Sequence, residues 1–433
     1  MFKSYVLKSK SFIDFIYMFI SNIIKKGFGF LREIILASFF GSSIIYANFL
    51  LLRTVADLFS QLTLGNALQA NLLPKFAKLY SKYSNISLVK VFDFSKGVLW
   101  KLFLISQLIQ LPIIWYLNSD HYYSLIVISF ILGIVECTNF YNTIFLTIMQ
   151  AQGKFKQHSL ATTLNLFVST VILYPLAYFF NIIGVALSRL IAVLVLSYTY
   201  VRPMELENKG NEVQLEVKDF NFSIMILGNF ASIIILLARF VSGADGGNTI
   251  TYFTYSVILL NALFTAVMVN LNTLILRKLA IQRNLKIILL GVTVSLILAL
   301  GLIYVVEIFS VEFISFAFQR GAFTHQDVIE SASYMRDMSK AFIFIFIASV
   351  LFQPFFSMDV DVVRKESRPL ALIFVSTILI VIISFYFNNW DVRFQSIIMF
   401  YSMAFISMIL SFFAVYKYFN IERSFKSLEK SNF

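Results

Sequence analysis

"FIDFIYMFISNIIKKGFGFLREIILASFF", residues 12–40, is long and apolar enough to lie in a bilayer, yet Lys25, Lys26, Arg32 and Glu33 sit in its interior. The next hydrophobic run, 46–74, is interrupted by Arg53 and Asp57. A charged side chain at the bilayer centre costs about 2.5–3.5 kcal/mol on insertion scales, so it is expected to face a water-filled or substrate-filled cavity. Bases outnumber acids in these two runs. The pattern predicts a transporter whose cavity handles an anion.

The composition sets the class. Of 433 residues, 59% are hydrophobic and 13% charged, against about 45–50% and about 25% in soluble domains. The 49 Phe residues are spread along the whole length, which leaves little room for a separate soluble domain. A polytopic membrane protein follows. The net charge of +12 comes from basic residues gathered in the loops between hydrophobic runs, as membrane orientation requires, and not from a nucleic-acid surface. Cys137 is the single cysteine, so neither a disulfide nor a thiolate metal cluster is expected. His121, His158 and His325 have no metal-ligand spacing. No phosphate loop, nucleophile elbow or paired catalytic acid occurs, so neither an enzyme nor a bound cofactor is expected. Residues 1–11 carry Lys3, Lys8 and Lys10 but lead into a long run with no small-residue cleavage site, which reads as a retained first span.

A span needs about 20 mostly apolar residues. Twelve candidates meet this: 12–40, 46–74, 97–117, 122–149, 159–180, 182–201, 220–241, 250–276, 285–309, 338–358, 370–388 and 394–416. The division between the fifth and sixth rests on the break from Asn181 to Gly184. With the N-terminus inside, every inner segment is lysine- and arginine-rich, whereas the outer ones hold only Arg239, Arg320, Arg336 and Arg393. Both termini are therefore expected to be cytoplasmic. A hydrophilic stretch with Glu205, Glu207, Glu212 and Glu216 follows the sixth span. The expected plan is an N-terminal lobe 1–203, a cytoplasmic linker 204–218 and a C-terminal lobe 219–433 with a short cytoplasmic tail. Each lobe would hold six helices of an all-α fold around a central cavity. Substrate sites of repeat-built transporters lie where the repeats meet.

Lys25 and Arg32 are seven residues apart and fall within about 20° of one helix face. Lys26 and Glu33 share that spacing on a neighbouring face. These bases line a hydrated cavity, or else the lysines snorkel to the headgroups. Arg53 and Asp57 stand at i,i+4, either as a structural ion pair or as cavity lining. A polar stripe continues through Ser60, Gln61, Asn66, Gln69 and Asn71. Glu136 is a candidate coupling-ion carboxylate or a helix-packing hydrogen bond. Asn261, Asn270 and Asn272 divide in the same way between cavity and packing. Arg189 has no evident partner in the sequence.

Two stretches carry a resemblance. "GFGFLREIILASFFGSS" (27–43) and "LTLGNALQANLLPKFAKLYSK" (62–82) resemble the opening of the MviN/MurJ-like lipid II flippases, through Gly29, Phe30, Arg32, Glu33, Ala37, Phe40, Gly41, Asn66, Ala67, Asn71 and Pro74. The segment "FAFQRGAFTHQD" (316–327) resembles a later loop of the same family, through Phe318, Arg320, Gly321, Phe323 and Thr324. The resemblance implies the fold of the multidrug/oligosaccharidyl-lipid/polysaccharide (MOP) exporter superfamily, with two lobes alternating between inward-open and outward-open states. It further implies that arginines of the first, second and eighth helices hold a lipid pyrophosphate. Arg32 matches that pattern and Lys26 replaces an arginine. Ser60 and Ser256 stand where the other two arginines belong, and Gly65 where an acid belongs.

The implied function is a flippase in the bacterial inner membrane that carries an undecaprenyl-pyrophosphate-linked saccharide between leaflets. The cargo is a surface-polysaccharide or O-antigen-type unit, favoured by the departures at Ser60 and Ser256, or lipid II. Lys25, Lys26, Arg32 and Arg53 would bind the pyrophosphate, while Glu33, Asp57, Asn66, Gln69 and Asn270 would line the cavity. A coupling cation or the membrane potential would drive the cycle. The alternatives are a cation-coupled drug exporter of the same superfamily, against which the excess of bases argues, and a non-transporting membrane scaffold.

Overall fold

The computed structural model describes residues 10–63, 72–73, 75–77, 79–80, 82, 86–117, 120–206, 211–212, 215, 221–282, 285–356, 358, 360–388 and 390–431. Almost all of these are helical. They divide into two compact units, Met1–Asn221 and Phe222–Phe433.

The first unit contains α1 (Lys10–Phe40), α2 (Ile44–Thr63), α3 (Val89–Leu117), α4 (Tyr122–Ala151), α5 (Phe155–Leu196) and the short α6 (Arg202–Leu206). A two-residue parallel bridge joins β1 (Ile86–Ser87) to β2 (Asn211–Glu212). α1 stops at Gly41, whose φ of 50° lets its N–H reach back to the Ala37 carbonyl at 2.9 Å. Such a left-handed cap suits glycine. α5 is two helices in one, because Asn181 at φ 52° and ψ −136° breaks the regular backbone. Gly184 allows the two halves to pack, since a Cβ there would lie 2.0 Å from the Leu176 carbonyl oxygen. The break falls where the sequence divides the fifth and sixth spans.

α1 lies along α5, joined by the ring pairs Phe28–Phe167 (5.3 Å) and Phe39–Tyr174 (5.2 Å). The Ser21 hydroxyl donates to the Ser159 carbonyl at 3.0 Å. α3 and α4 are clasped by Gln107 and Ser129, whose side chains bond at 2.9 Å. Towards the end of the unit that holds the β bridge, Phe92 stacks on Phe145 with ring centroids 4.2 Å apart. Met204 and Leu215 join that core, so parts of the stretch between the sixth and seventh spans are anchored to the first unit.

The second unit contains α7 (Phe222–Gly228), α8 (Phe230–Val241), α9 (Thr249–Gln282), α10 (Leu285–Phe318), α11 (His325–Ser339), α12 (Phe342–Phe356), α13 (Val360–Phe387) and α14 (Val392–Ser431). α7 and α8 meet at Asn229 with a 79° bend and only together are long and apolar enough for one span, and α11 and α12 meet at 45° in the same way. Among the described residues, each unit thus holds six helical runs of spanning scale when α5 counts as two and each bent pair as one. By length and composition six helices qualify as membrane spans, or eight with the bent pairs. α1 and α2 are held back by their charged and polar side chains. α11 is an addition to the expected spans, since residues 325–337 precede the tenth, 338–358, in an outer segment. Thr324 caps it: its hydroxyl and Asp327 bond reciprocally as a capping box.

Large apolar side chains crowd the exterior, among them Leu108, Trp115, Phe179, Tyr304, Leu372 and Phe387, each more than two-thirds exposed. Water would not tolerate so continuous an apolar surface, whereas lipid requires one. The chain is a multi-pass membrane protein.

Candidate functional site

In the first unit, three arginines from three helices meet two carboxylates among the packed helices. Arg32 and Glu33 lie side by side on α1, Arg53 and Asp57 one turn apart on α2, and Arg189 on the second half of α5. Glu33 Oε1 accepts from Arg53 Nη2 at 3.1 Å and from Arg32 Nη2 at 3.4 Å. Asp57 stands between the other two, with Oδ2 3.5 Å from Arg53 Nε and Oδ1 3.8 Å from Arg189 Nη1. The charges form a chain, Arg32–Glu33–Arg53–Asp57–Arg189, which carries one net positive charge.

Helical geometry explains the convergence. On α2, Arg53 and Asp57 face the same way because four residues make about one turn. On α1, Arg32 and Glu33 are both buried, at 8% and 6% exposed. On α5, the break at Asn181 and close packing at Gly184 set the direction of the half that carries Arg189.

A polar pocket of about 160 Å³ opens beside this chain. α1 contributes Arg32; α2, Asp57 and Ser60; α4, Glu136 and Asn139; and α5, Asn165, Ser169 and Arg189. Glu136 is engaged, since Ser60 Oγ donates to its Oε2. The pocket is small beside the roughly 300–1,000 Å³ of sites that enclose drug-sized ligands. It suits a phosphate-sized polar group.

Hydrogen-bonding capacity is lopsided. Each guanidinium brings five N–H donors. Arg32 Nε and Arg53 Nη1 are buried without a hydrogen-bond partner, as is the acceptor Glu33 Oε2. Among the described residues, Arg189 has no hydrogen bond, only the ion pair with Asp57. Desolvated donors without partners are costly; Arg32 and Arg189 line the pocket, where an anion with several oxygens would meet them, whereas Arg53 lies behind it.

The other residues singled out in the sequence fall elsewhere. Lys25 is half-buried and donates to Thr162 Oγ1 at 3.2 Å, on the same α5-facing side of α1 as Arg32. Lys26 is exposed. Asn66 and Gln69 lie outside the described residues, and so does the side chain of Asn270. Ser256 is wholly buried and donates to the carbonyls of Tyr252 and Ser331. Neither Ser60 nor Ser256 stands free to take a basic residue's part. Sequence reading had no partner for Arg189; the one signal was a lone ionisable residue in an apolar span.

No known protein family matches the sequence, and no curated protein does. The folded chain is similar to solved structures. The lipid II flippase MurJ, in an inward closed conformation, superposes with a TM-score of 0.70 at 16% identity, covering 94% of this chain and 87% of that one. A multidrug resistance MATE family transporter of the MOP superfamily, outward-facing, gives 0.57 at 12% identity over 94% and 95% of the two chains. An inward-facing structure of such a MATE transporter gives 0.57 at 13% identity over 96% of each. The chain has the fold that the MurJ and MATE structures share.

Proposed function

We propose that this protein is a flippase carrying an undecaprenyl-pyrophosphate-linked saccharide from the inner to the outer leaflet of a bacterial cytoplasmic membrane. The observation that carries the reading is the buried chain of three arginines threaded on two carboxylates. A diphosphate headgroup cannot cross hydrocarbon unaided, because each charge would be desolvated without compensation. Arg32 brings a planar donor fork matched to phosphate oxygens to the pocket, with Arg53 behind it between Glu33 and Asp57, and Lys25 offers a point charge about two turns away on the same side of α1. Lys26 would serve at the headgroup level, where exposed lysines sit.

In this reading the lobes 1–203 and 219–433, joined by the linker 204–218, alternate access to the headgroup while the isoprenoid tail stays in lipid. Both termini are cytoplasmic, and a coupling cation or the membrane potential drives the cycle. The cargo is a surface-polysaccharide unit or lipid II. Glu33 and Asp57, with Asn66, Gln69 and Asn270, line the path.

A second reading, a cation-coupled drug exporter, draws on Glu136 and Asp57, two carboxylates at one pocket. Against it, Glu136 is bonded by Ser60 and Asp57 is flanked by two arginines, so neither carboxylate offers a cation an uncontested site.

The test is rescue of a strain depleted of its lipid II flippase, with Arg32→Ala and Arg32→Glu alongside. Rescue by the wild type that is lost in both variants establishes lipid II as cargo and Arg32 as a headgroup ligand. Failure of the wild type despite good membrane expression removes lipid II and leaves surface polysaccharide units, to be tried in strains lacking those flippases. An Arg32→Glu variant as active as a rescuing wild type would refute the role of Arg32 as a headgroup ligand.

A further inference from the structure

Arg189 is the one member of the arginine chain that the opening sequence segment does not supply. It sits 132 residues after Asp57, on a different helix, yet shares that carboxylate with Arg53. Its side chain is 14% exposed and its only partner among the described residues is Asp57 at 3.8 Å, beyond hydrogen-bond reach. It lines the pocket with Arg32, and the two approach from α5 and α1. Two guanidiniums face one small pocket, one of them with every donor unused, beside the carboxylates of Asp57 and of Glu136, the latter bonded by Ser60; they form a clamp that an anion displacing Asp57 would complete.

We propose that Arg189 is a phosphate-binding residue of the headgroup site, held at rest by Asp57 and released to the diphosphate when the lipid enters. This rests on the flippase reading. Asp57 acts as a resident counter-ion. It keeps two buried arginines compensated between transport events, through contacts loose enough to be exchanged. A phosphate oxygen would take the place of Asp57 Oδ1 on Arg189 Nη1 and could engage the second arm of the fork, which the carboxylate does not reach. Asp57 would keep its contact with Arg53 through Oδ2. The exchange gives the site two states without a change in the number of buried positive charges.

The experiment measures binding of undecaprenyl pyrophosphate to the full chain in zwitterionic nanodiscs. Undecaprenol serves as the uncharged control and inorganic pyrophosphate as competitor. The variants are Arg189→Gln, Arg189→Lys, Asp57→Asn, Arg189→Gln/Asp57→Asn and Arg32→Gln. Loss of a charge-assisted contact predicts about 10- to 100-fold weaker binding of the pyrophosphate lipid in Arg189→Gln, with undecaprenol unaffected. Arg189→Lys should recover part of the loss. Asp57→Asn should bind more tightly than wild type, since the competing counter-ion is gone. The double variant removes both charges together and so guards against misfolding; it should still lose affinity.

Inorganic pyrophosphate displacing the lipid, with the same dependence on Arg189, supports the phosphate chemistry. Displacement unchanged in Arg189→Gln overturns it. Affinity unchanged in Arg189→Gln but lost in Arg32→Gln overturns the role of Arg189 and leaves the flippase reading standing. Asp57→Asn weakening binding as much as Arg189→Gln makes the pair a structural ion pair and overturns the exchange. Wild type binding the pyrophosphate lipid no better than undecaprenol overturns the flippase reading itself.

Discussion

Replacing Glu33 by Gln should destabilise the protein by about 3–5 kcal/mol, the range for removing one partner of a buried ion pair. Glu33 is 6% exposed, and its Oε1 holds Arg53 at 3.1 Å and Arg32 at 3.4 Å. At an effective dielectric of about 20, each contact is worth about 5 kcal/mol of gross Coulomb attraction, much of it offset by desolvation of the charges. Neutralising Glu33 leaves Arg32 without its carboxylate partner and sets two guanidiniums against each other, with Asp57 the remaining acid on Arg53. The amide of Gln also presents an NH₂ group where only an acceptor is wanted. The assay is denaturant unfolding of the full chain in mixed micelles, as a cycle of Glu33→Gln, Arg53→Met and the double variant. The cycle should return a coupling energy of about 1.5–3 kcal/mol. The double variant should be more stable than Glu33→Gln alone, because it removes a cation with the anion. A cost below about 1 kcal/mol, or coupling near zero, would refute the view that Glu33 compensates the arginines; Glu33 would then be solvated in the membrane protein.

Two further substitutions test the scaffold around the site. Gly184→Ala places a Cβ 2.0 Å from the Leu176 carbonyl oxygen and 2.3 Å from its carbon, so backbone must move. The expected cost is at least the roughly 1–3 kcal/mol of overpacking, read as lost thermal stability, while Gly29→Ala, with nothing within 4 Å, should be neutral or slightly stabilising. Arg393 donates to Glu330 at 3.2 Å and to Asp337 at 3.0 Å, and lies over the Tyr334 ring at 4.7 Å. Because these groups are a third or so exposed, Arg393→Met should cost only about 1–2 kcal/mol. Part of that loss should vanish when unfolding is repeated at about 1 M salt.

What could be read from the sequence divides along the range of the interactions. Span positions follow from hydropathy, a property of about 20 consecutive residues, and the helices keep to the expected segments, down to the break at Asn181 between the fifth and sixth spans. The Arg53–Asp57 pair was visible because a single helical turn makes it. α11 was readable in principle, since Thr324 and Asp327 spell a capping box, but its polar face falls below any hydropathy threshold. The 79° bend at Asn229 had only a Gly228–Asn229 step to mark it. The site itself was half legible. Arg32, Glu33, Arg53 and Asp57 stand out as charges in apolar runs, whereas the links from Asp57 to Arg189 and from Ser60 to Glu136 span 132 and 76 residues. No local pattern encodes such pairings, because they depend on how α4 and α5 pack against α1 and α2.

That division bears on function. The charges whose grouping is legible in the sequence belong to the first two helices, and taken alone they place two arginines against two acids, with the lysines outside the cluster; Glu136 and Arg189 stand out only as single charges in later spans. The excess positive charge of the five-residue chain comes from Arg189, which α5 brings in through its broken midpoint and which offsets the second of the two carboxylates, Asp57 and Glu136, at the pocket. The packing of the fifth and sixth spans therefore decides whether the pocket is balanced or acidic. A substitution that straightens α5, such as Asn181→Ala at a positive-φ position (φ 52°, ψ −136°) whose strain is of order 1–3 kcal/mol, should lower anion affinity with every charged residue still present. Undecaprenyl pyrophosphate binding that is unchanged in a folded Asn181→Ala variant would show that Arg189 reaches the pocket whatever the course of the helix.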